Sequence, residues 1–234
     1  MRLLTIFSNL TLGLLVLTPL GITTIPPQQS AWAQKVSSPP PPRPTKSRPL
    51  GGLGNVCDGE KTIIALIPDG QRLLVTLSFS PTFWFYIPYQ PEQIDSIEFT
   101  INSFDEKTQI YRSRIEAPST SGVIGLQLPP SVKLETNQTY YWYFQLNCKR
   151  KQGKPISEKV EGHVSVLPPT PERVNMVERM DSKIVYDALT IAADRRSKKL
   201  PGAEQDWQRL LNSLGKGNLA TEPILPLRML PKEN

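Results

Sequence analysis

Hydrophobic and polar residues alternate in short runs between about residues 57 and 167. Each run is rich in β-branched and aromatic residues and ends at Gly, Pro, Asn, Asp or Ser, which is typical of strands in antiparallel sheets. The pattern predicts eight strands, at residues 62–67, 73–79, 83–87, 94–101, 109–115, 123–128, 139–146 and 160–167. No helical period interrupts them, so residues 55–168 are predicted to form a β-sandwich domain.

A motif in the seventh run indicates the kind of sandwich. Asn137, which tolerates a positive φ, stands three residues before Tyr140, and an alternating strand follows. This resembles the tyrosine corner of immunoglobulin-like sandwiches, in which the Tyr hydroxyl bonds to upstream backbone. We therefore expect a mainly β fold, an Ig-like or fibronectin-III-like antiparallel β-sandwich. If Tyr140 points into the core, alternation places Tyr141 and Tyr143 on the outer face.

The hydrophobic period changes to about 3.6 residues after position 168. Apolar residues at helical spacing predict one helix around residues 184–192 and a second over 203–214, which carries Trp207 on its apolar face. Pro201 and Gly202 separate the two, so residues 169–216 are predicted to form a C-terminal αα-hairpin, followed by a tail over 217–234. Two helices alone cannot bury their apolar faces, and we expect them to pack on the sandwich, with a partner protein as the alternative.

The first 33 residues have the pattern of a secretory signal peptide. Arg2 precedes an apolar run that is densest over residues 10–20, and residues 31–33, Ala-Trp-Ala, form a small-x-small cleavage site. Cleavage is expected before Gln34, and an uncleaved N-terminal anchor is the alternative. Residues 34–54 are rich in Pro and Gly and are predicted to be a solvated linker, with a ligand for a Pro-binding domain as the alternative. The protein is therefore expected in the periplasm, the cell envelope or the extracellular space, with no transmembrane span after signal cleavage.

Composition narrows the chemistry that the chain can perform. The 234 residues include two Cys and one His. In an oxidising compartment the two Cys are expected to form one disulfide between Cys57 and Cys148. Alternation along the strand places Val164 and Val166 on one face and His163 on the other, so His163 is expected to face the surface. No zinc ligand set, nucleophile elbow or phosphate loop remains, so we expect no catalytic residue, metal or cofactor.

Aromatic residues are concentrated in two segments, residues 83–89 and 140–144. In an Ig-like arrangement these segments are expected to be neighbouring strands of one sheet. Tyr141 and Tyr143, together with either Trp84 and Tyr86 or the alternate pair Phe83 and Phe85, would then form an aromatic outer face; we take Tyr141, Tyr143, Trp84 and Tyr86 as the candidate binding residues. Such a face is either covered by the helical hairpin or used to bind a glycan or a protein.

The net charge is +6, and basic residues are clustered at residues 149–154 and 195–199. Nucleic-acid binding is not expected of an exported protein. Solvated surface charge is the simpler interpretation, and attraction to anionic envelope polymers or lipid headgroups is the alternative.

Several motifs, taken in order, resemble those of a known family. The most specific is Pro-Thr-Phe-Trp-Phe-Tyr-Ile-Pro at residues 81–88. It is followed by Tyr-Tyr-Trp-Tyr-Phe at 140–144 with Cys148, by Tyr-Asp-Ala-Leu at 186–189, and by Trp207 with residues 210–214. Over roughly residues 50–225 the chain resembles a secreted cyanobacterial family called domain of unknown function 928. That family has no established activity, so the resemblance implies no catalytic residue.

These observations predict an exported, non-enzymatic interaction module of the periplasm or cell envelope that binds a protein or a glycan. The alternative is a hydrolase of envelope polymers that uses loop carboxylates, for which the candidates are Asp58, Glu60, Asp69, Asp95, Glu98, Asp105 and Glu106. Three or more carboxylates in one cleft would favour the hydrolase, whereas an aromatic sheet face would favour the binding module.

Overall fold

The computed structural model describes residues 42–46, 48, 57, 61–71, 74–149 and 156–230. The predicted signal peptide and most of the predicted linker lie outside these residues, as does most of the basic cluster at 149–154. Within the ranges that are described, no helix combines the length and the apolar character needed to cross a membrane.

In the part of the chain that the structure describes, nine strands form two β-sheets. In chain order they are β1 (Ile64–Ala65), β2 (Val75–Thr76), β3 (Thr82–Ile87), β4 (Ile94–Ser103), β5 (Gln109–Ile115), β6 (Gly122–Gln127), β7 (Thr139–Cys148), β8 (Ser157–Val166) and β9 (Ile224–Leu225). The four-stranded sheet has the order β1-β3-β6-β9, and the five-stranded sheet has the order β2-β8-β7-β4-β5. The neighbours are antiparallel except for β2–β8 and β6–β9. Each of the eight predicted strands has a counterpart, although those predicted at 62–67 and 73–79 are only two residues long, and the short β9 is an addition that alternation did not reveal.

The core lies between the two sheets and is rich in aromatic rings. Phe85 of β3 stacks on Phe144 of β7 with 4.0 Å between ring centroids, and Phe83 meets Trp142 edge to face at 5.9 Å. The expectation that residues 83–87 and 140–144 are neighbours in one sheet is therefore wrong, because the two strands face each other across the core. Both strands are apolar on both faces, so their alternation says nothing about which strand lies beside which.

The tyrosine corner has the predicted contacts. The backbone N–H of Glu135 donates to the Tyr140 hydroxyl at 3.0 Å, and Asn137 has a φ of 62°. Tyr140, Trp142, Phe144 and Leu146 all belong to the hydrophobic core, which confirms the inward parity, whereas the equally buried Tyr141 does not belong to it.

The predicted disulfide joins Cys57 to Cys148 at the end of β7, with 5.2 Å between the Cα atoms. Next to it the buried carboxylate of Glu158 accepts from the backbone N–H of Ile63 at 2.8 Å and of Cys57 at 3.3 Å, and from the Tyr89 hydroxyl. Packing of β8 against β1 removes the Glu158 carboxylate from water, and the hydrogen bonds from these three donors replace its lost hydration.

Three α-helices follow the sandwich within the described residues: α1 (Pro171–Glu178), α2 (Val185–Ser197) and α3 (Ala203–Ser213). The Thr170 side chain caps α1 by accepting from the backbone N–H of Arg173. A turn with Gly202 at a φ of 76° separates α2 from α3, and the ion pair Arg195–Asp206 at 3.2 Å joins them. The apolar face of α3, which carries Trp207, is buried, whereas none of the residues of α1 is buried.

Candidate functional site

Two predicted site residues, Tyr141 and Tyr143, lie together on the outer face of the five-stranded sheet. Tyr141 pairs with His163 of β8 in the strand register, and its ring stacks on Phe104 with 5.5 Å between centroids. The Tyr143 hydroxyl donates to the carboxylate of Glu106, which lies in the hairpin between β4 and β5. We call this surface, made of Tyr141, Tyr143, Phe104 and Glu106, the tyrosine face.

Residues 42–46, which we call the N-terminal strap, cross the tyrosine face. The backbone N–H of Arg43 donates to the Tyr141 hydroxyl at 2.9 Å, and its guanidinium Nη2 donates to the Tyr143 hydroxyl at 2.9 Å. The guanidinium carbon lies 4.3 Å from the centroid of the Tyr141 ring, a cation–π distance, and Nη2 pairs with Glu106 at 2.8 Å. Burial and the hydrogen bond to Glu106 raise the pKa of Tyr143 to about 12, so the hydroxyl remains a donor at neutral pH.

The second half of the strap is fixed to the sheet edge. Thr45 is buried, and its hydroxyl donates to the carbonyl oxygen of Pro68 at 2.9 Å. Lys46 and Glu161 exchange two backbone hydrogen bonds, at 2.9 and 3.1 Å, and their side chains pair at 2.8 Å. This part of the predicted linker is therefore docked rather than solvated, because the strand edge and the Tyr141 hydroxyl bind its backbone groups.

The other two predicted site residues lie on the opposite sheet. The outer face of β3 carries Trp84, whose indole N–H donates to the Thr190 hydroxyl of α2 at 3.4 Å and whose ring meets Trp207 of α3 at 6.2 Å. Tyr86 is buried, and its hydroxyl donates to Glu222 at 3.3 Å. The structure brings Tyr141 and Tyr143 together and separates them from Trp84 and Tyr86, whose face is covered by the helices.

His163 is buried, which corrects the expectation of a surface-facing side chain. Its parity is as predicted, but the segment that leads into β2 covers it, and the backbone N–H of Leu74 donates to Nε2 at 2.9 Å. Desolvation by burial lowers the pKa of His163 to about 4, so the imidazole is neutral at pH 7.

The candidate carboxylates of the hydrolase alternative are dispersed over the described surface. Glu106 pairs with Arg43, Glu98 pairs with Arg112, and Asp69 pairs with Lys216. Asp58 and Glu60 lie outside the described residues. In the ranges that the structure describes, no group of three or more His, Cys, Asp or Glu side chains is arranged to hold a metal ion.

A cleft of about 480 Å³ opens where the sandwich meets the helices. Leu74 and Val75 line it from the sandwich, and Met176, Lys183 and Ile184 line it from the helical side. We call it the junction cleft. No sequence pattern marks this cleft, because the segments that form it from the sandwich and from the helices are more than 90 residues apart in the chain.

Two facing sheets with a few C-terminal helices define a mainly β protein with one disulfide. The chain belongs to the family described as Domain of Unknown Function (DUF928), whose model matches residues 43–224. The matched range begins within the N-terminal strap and ends at the first residue of β9. No curated protein and no solved structure shows a significant match to the chain.

Proposed function

We propose that this protein is an exported, non-enzymatic interaction module of the periplasm or cell envelope. Its tyrosine face binds an extended, Pro- and Arg-containing segment of a protein partner. The observation that carries this proposal is the N-terminal strap, a segment of that chemistry seated on the tyrosine face. The strand order and the tyrosine corner at Tyr140 further support an Ig-like sandwich as the scaffold.

The chemistry of the strap fits a recognition site for extended peptides. Proline favours an extended backbone that loses little entropy on docking, and aromatic-lined surfaces commonly bind such segments. The planar guanidinium of Arg43 uses the Tyr141 ring and the Glu106 carboxylate at the same time, which an ammonium group does poorly. The tyrosine face therefore selects for arginine in an extended segment.

The Arg43 end of the strap is held weakly enough to exchange with a partner. The Arg43 side chain is 53% exposed, and exposed ion pairs such as Arg43–Glu106 contribute only about 0–1 kcal/mol. The bonds of Thr45 and Lys46 to the sheet edge hold Arg43 near the tyrosine face at a high effective concentration. A partner segment with the same chemistry competes for the same contacts.

Different observations support export and the absence of catalysis. Residues 1–33 have the pattern of a signal peptide, and a disulfide such as Cys57–Cys148 persists in oxidising compartments. The described candidate carboxylates Glu98, Glu106 and Asp69 are each paired with a different cation, which does not favour a shared hydrolytic cleft.

A peptide titration tests the proposal. A synthetic peptide with the sequence of residues 39–48, Pro-Pro-Pro-Pro-Arg-Pro-Thr-Lys-Ser-Arg, is titrated into the full mature chain carrying Arg43→Ala and Lys46→Ala. Because these substitutions weaken the chain's own strap, we expect the peptide to bind this variant at least tenfold more tightly than the wild type. The same peptide with Ala in place of its Pro-flanked Arg is the matched control and should bind at least tenfold more weakly.

The tyrosine face is then removed from the same variant by Tyr141→Ser and Tyr143→Ser. Loss of peptide binding, in a chain that still unfolds cooperatively, supports recognition by these rings. Binding that persists without them, or a peptide that fails to bind the strap-weakened chain, would show that the strap only covers the sheet.

A further inference from the structure

The junction cleft has an apolar floor that is built from both parts of the protein. Leu74 and Val75 approach from the sandwich, and Ile184 and Leu214 approach from the helical segment. Each of the four exposes less than a tenth of its surface while α1 is in place, and half-buried Met176 of α1 adds a flexible thioether at the side. A volume of about 480 Å³ is within the range of cavities that hold small organic ligands.

Cationic side chains lie at the rim of this floor. Arg173 and Lys183 both line the cleft, and in the part of the chain that the structure describes neither forms an ion pair with a carboxylate. The guanidinium of Arg173 is oriented by a 2.8 Å hydrogen bond from Nη1 to the carbonyl oxygen of Pro168. The rim therefore presents positive charge beside an apolar surface, the complement of a ligand with an apolar chain and an anionic head.

The walls of the cleft differ in how firmly they are held. On one side, Lys216, which is 2% exposed, pairs with Asp69 at 2.8 Å and ties the helical segment to the loop that carries Pro68. On the other side stands α1, in which Val174 is 40% exposed and no residue is buried. A wall with few buried apolar contacts opens at low cost in free energy, which gives a ligand a route to the floor.

We infer that the junction cleft binds a single-chain amphiphile with an anionic head group. The chain lies on the floor of Leu74, Val75, Ile184 and Leu214, and the head group lies at the rim with Arg173 and Lys183. This inference does not rest on the proposed function: no residue of the tyrosine face lines the cleft, and the strap reaches it only through Thr45, which bonds to Pro68 and Gln71.

Calorimetric titration of the full mature chain with dodecanoate, below its micellar concentration, tests the inference. We expect saturable binding of one dodecanoate per chain. Dodecanol, which has the same chain and no charge, should bind at least tenfold more weakly. Acetate, which has the head group alone, should show no saturable binding. Equal binding of dodecanoate and dodecanol, or the absence of saturable dodecanoate binding, overturns the inference.

Two matched pairs of variants locate the ligand. Lys183→Glu at the rim is compared with Lys133→Glu, an exposed lysine that does not line the cleft, so that both variants change the net charge equally. Met176→Asp is compared with Val174→Asp on the same helix, where no residue is buried and both chains should fold. We expect each cleft variant to raise the dissociation constant for dodecanoate at least tenfold and each control to change it less than twofold. Equal effects within either pair overturn the assignment to this cleft.

Discussion

The indole N–H of Trp142 donates a hydrogen bond to the hydroxyl of Tyr186 over 2.8 Å, with both side chains buried. That hydroxyl donates in turn to the backbone carbonyl oxygen of His163 at 2.6 Å. Trp142 lies on β7, His163 on β8 and Tyr186 on α2, so one hydroxyl group joins the helical segment to two central strands of the five-stranded sheet. The helices are therefore part of the same core as the sandwich.

Replacing Tyr186 with Phe tests this link. The variant leaves the indole N–H of Trp142 and the carbonyl oxygen of His163 buried without their partner, which we expect to cost about 1–3 kcal/mol of unfolding free energy. Urea unfolding followed by tryptophan fluorescence measures the change. Tyr111→Phe is the control, because that hydroxyl contacts only the weakly accepting Sδ of Met229 among its described partners. Equal losses in the two variants would contradict the link.

Removing the disulfide should destabilise the protein strongly. Cys57 and Cys148 are 91 residues apart, and closing a loop of that length is expected to stabilise the folded state by about 4–5 kcal/mol in the chain-entropy model. We expect the double variant Cys57→Ala and Cys148→Ala to lose this amount in urea unfolding. A reductant should lower the stability of the wild type to that of the double variant and leave the double variant unchanged. A wild type that is insensitive to reductant would contradict the prediction.

The strands followed from the sequence because alternation is a local pattern, and the disulfide followed because a chain that is expected to be exported and has two Cys offers a single pairing. The Asn137–Tyr140 spacing indicated the tyrosine corner, whose hydrogen bond to Glu135 the structure contains. The sheet partner of β3 did not follow, because a strand that is apolar on both faces fits either sheet.

The docking of the strap and the burial of His163 could not be predicted from the sequence, for a different reason. Arg43 meets Tyr141 across 98 residues, and Leu74 meets His163 across 89 residues, through hydrogen bonds that leave no period in the sequence. A Pro-rich segment has no hydrophobic alternation, so only the folded sheet edge reveals its partner. The same holds for β9, which has two residues and pairs with β6 beyond the helices.

The stability of the protein should depend on the protonation of His163 below pH 6.5. Burial lowers the pKa of His163 from 6.5 to about 4 in the folded chain. The unfolded chain therefore takes up a proton as the pH falls through 6.5, whereas the folded chain does so only near pH 4. The contribution of the neutral imidazole is fully present above pH 6.5 and is lost as the pH falls toward 4, by at most about 3 kcal/mol.

His163→Gln isolates this effect from the titration of the carboxylates. Glutamine keeps an acceptor for the backbone N–H of Leu74 and does not titrate. We expect urea unfolding at pH 7.5, 5.5 and 4.5 to show a smaller decline in stability for the variant than for the wild type. Parallel declines would mean that His163 does not stay neutral in the folded state.

Gly162 of β8 lies opposite Trp142 of β7 in the strand register, and the Trp142 ring leaves no room for a side chain at this position. A Cβ atom added at Gly162 would overlap the Trp142 ring, with Cε2 only 2.8 Å away, and that ring is buried and fixed by its bond to Tyr186. Gly162→Ala is therefore expected to cost about 1–3 kcal/mol through overpacking. Gly125→Ala is the matched comparison, since its Cβ would approach Trp84 at 2.7 Å, but Trp84 is only half-buried and can shift.

A double-mutant cycle decides whether the Trp142 ring is the cause. In a Trp142→Phe background the smaller ring leaves room for a Cβ atom at Gly162. We therefore expect Gly162→Ala to cost at least about 1 kcal/mol less in that background than in the wild type. Coupling energies between residues in contact are usually about 0.5–3 kcal/mol. Urea unfolding of the four chains measures the coupling. Additive losses would mean that the ring of Trp142 is not the cause, and a Gly125→Ala variant as unstable as Gly162→Ala would mean that the burial of the facing ring does not decide the cost.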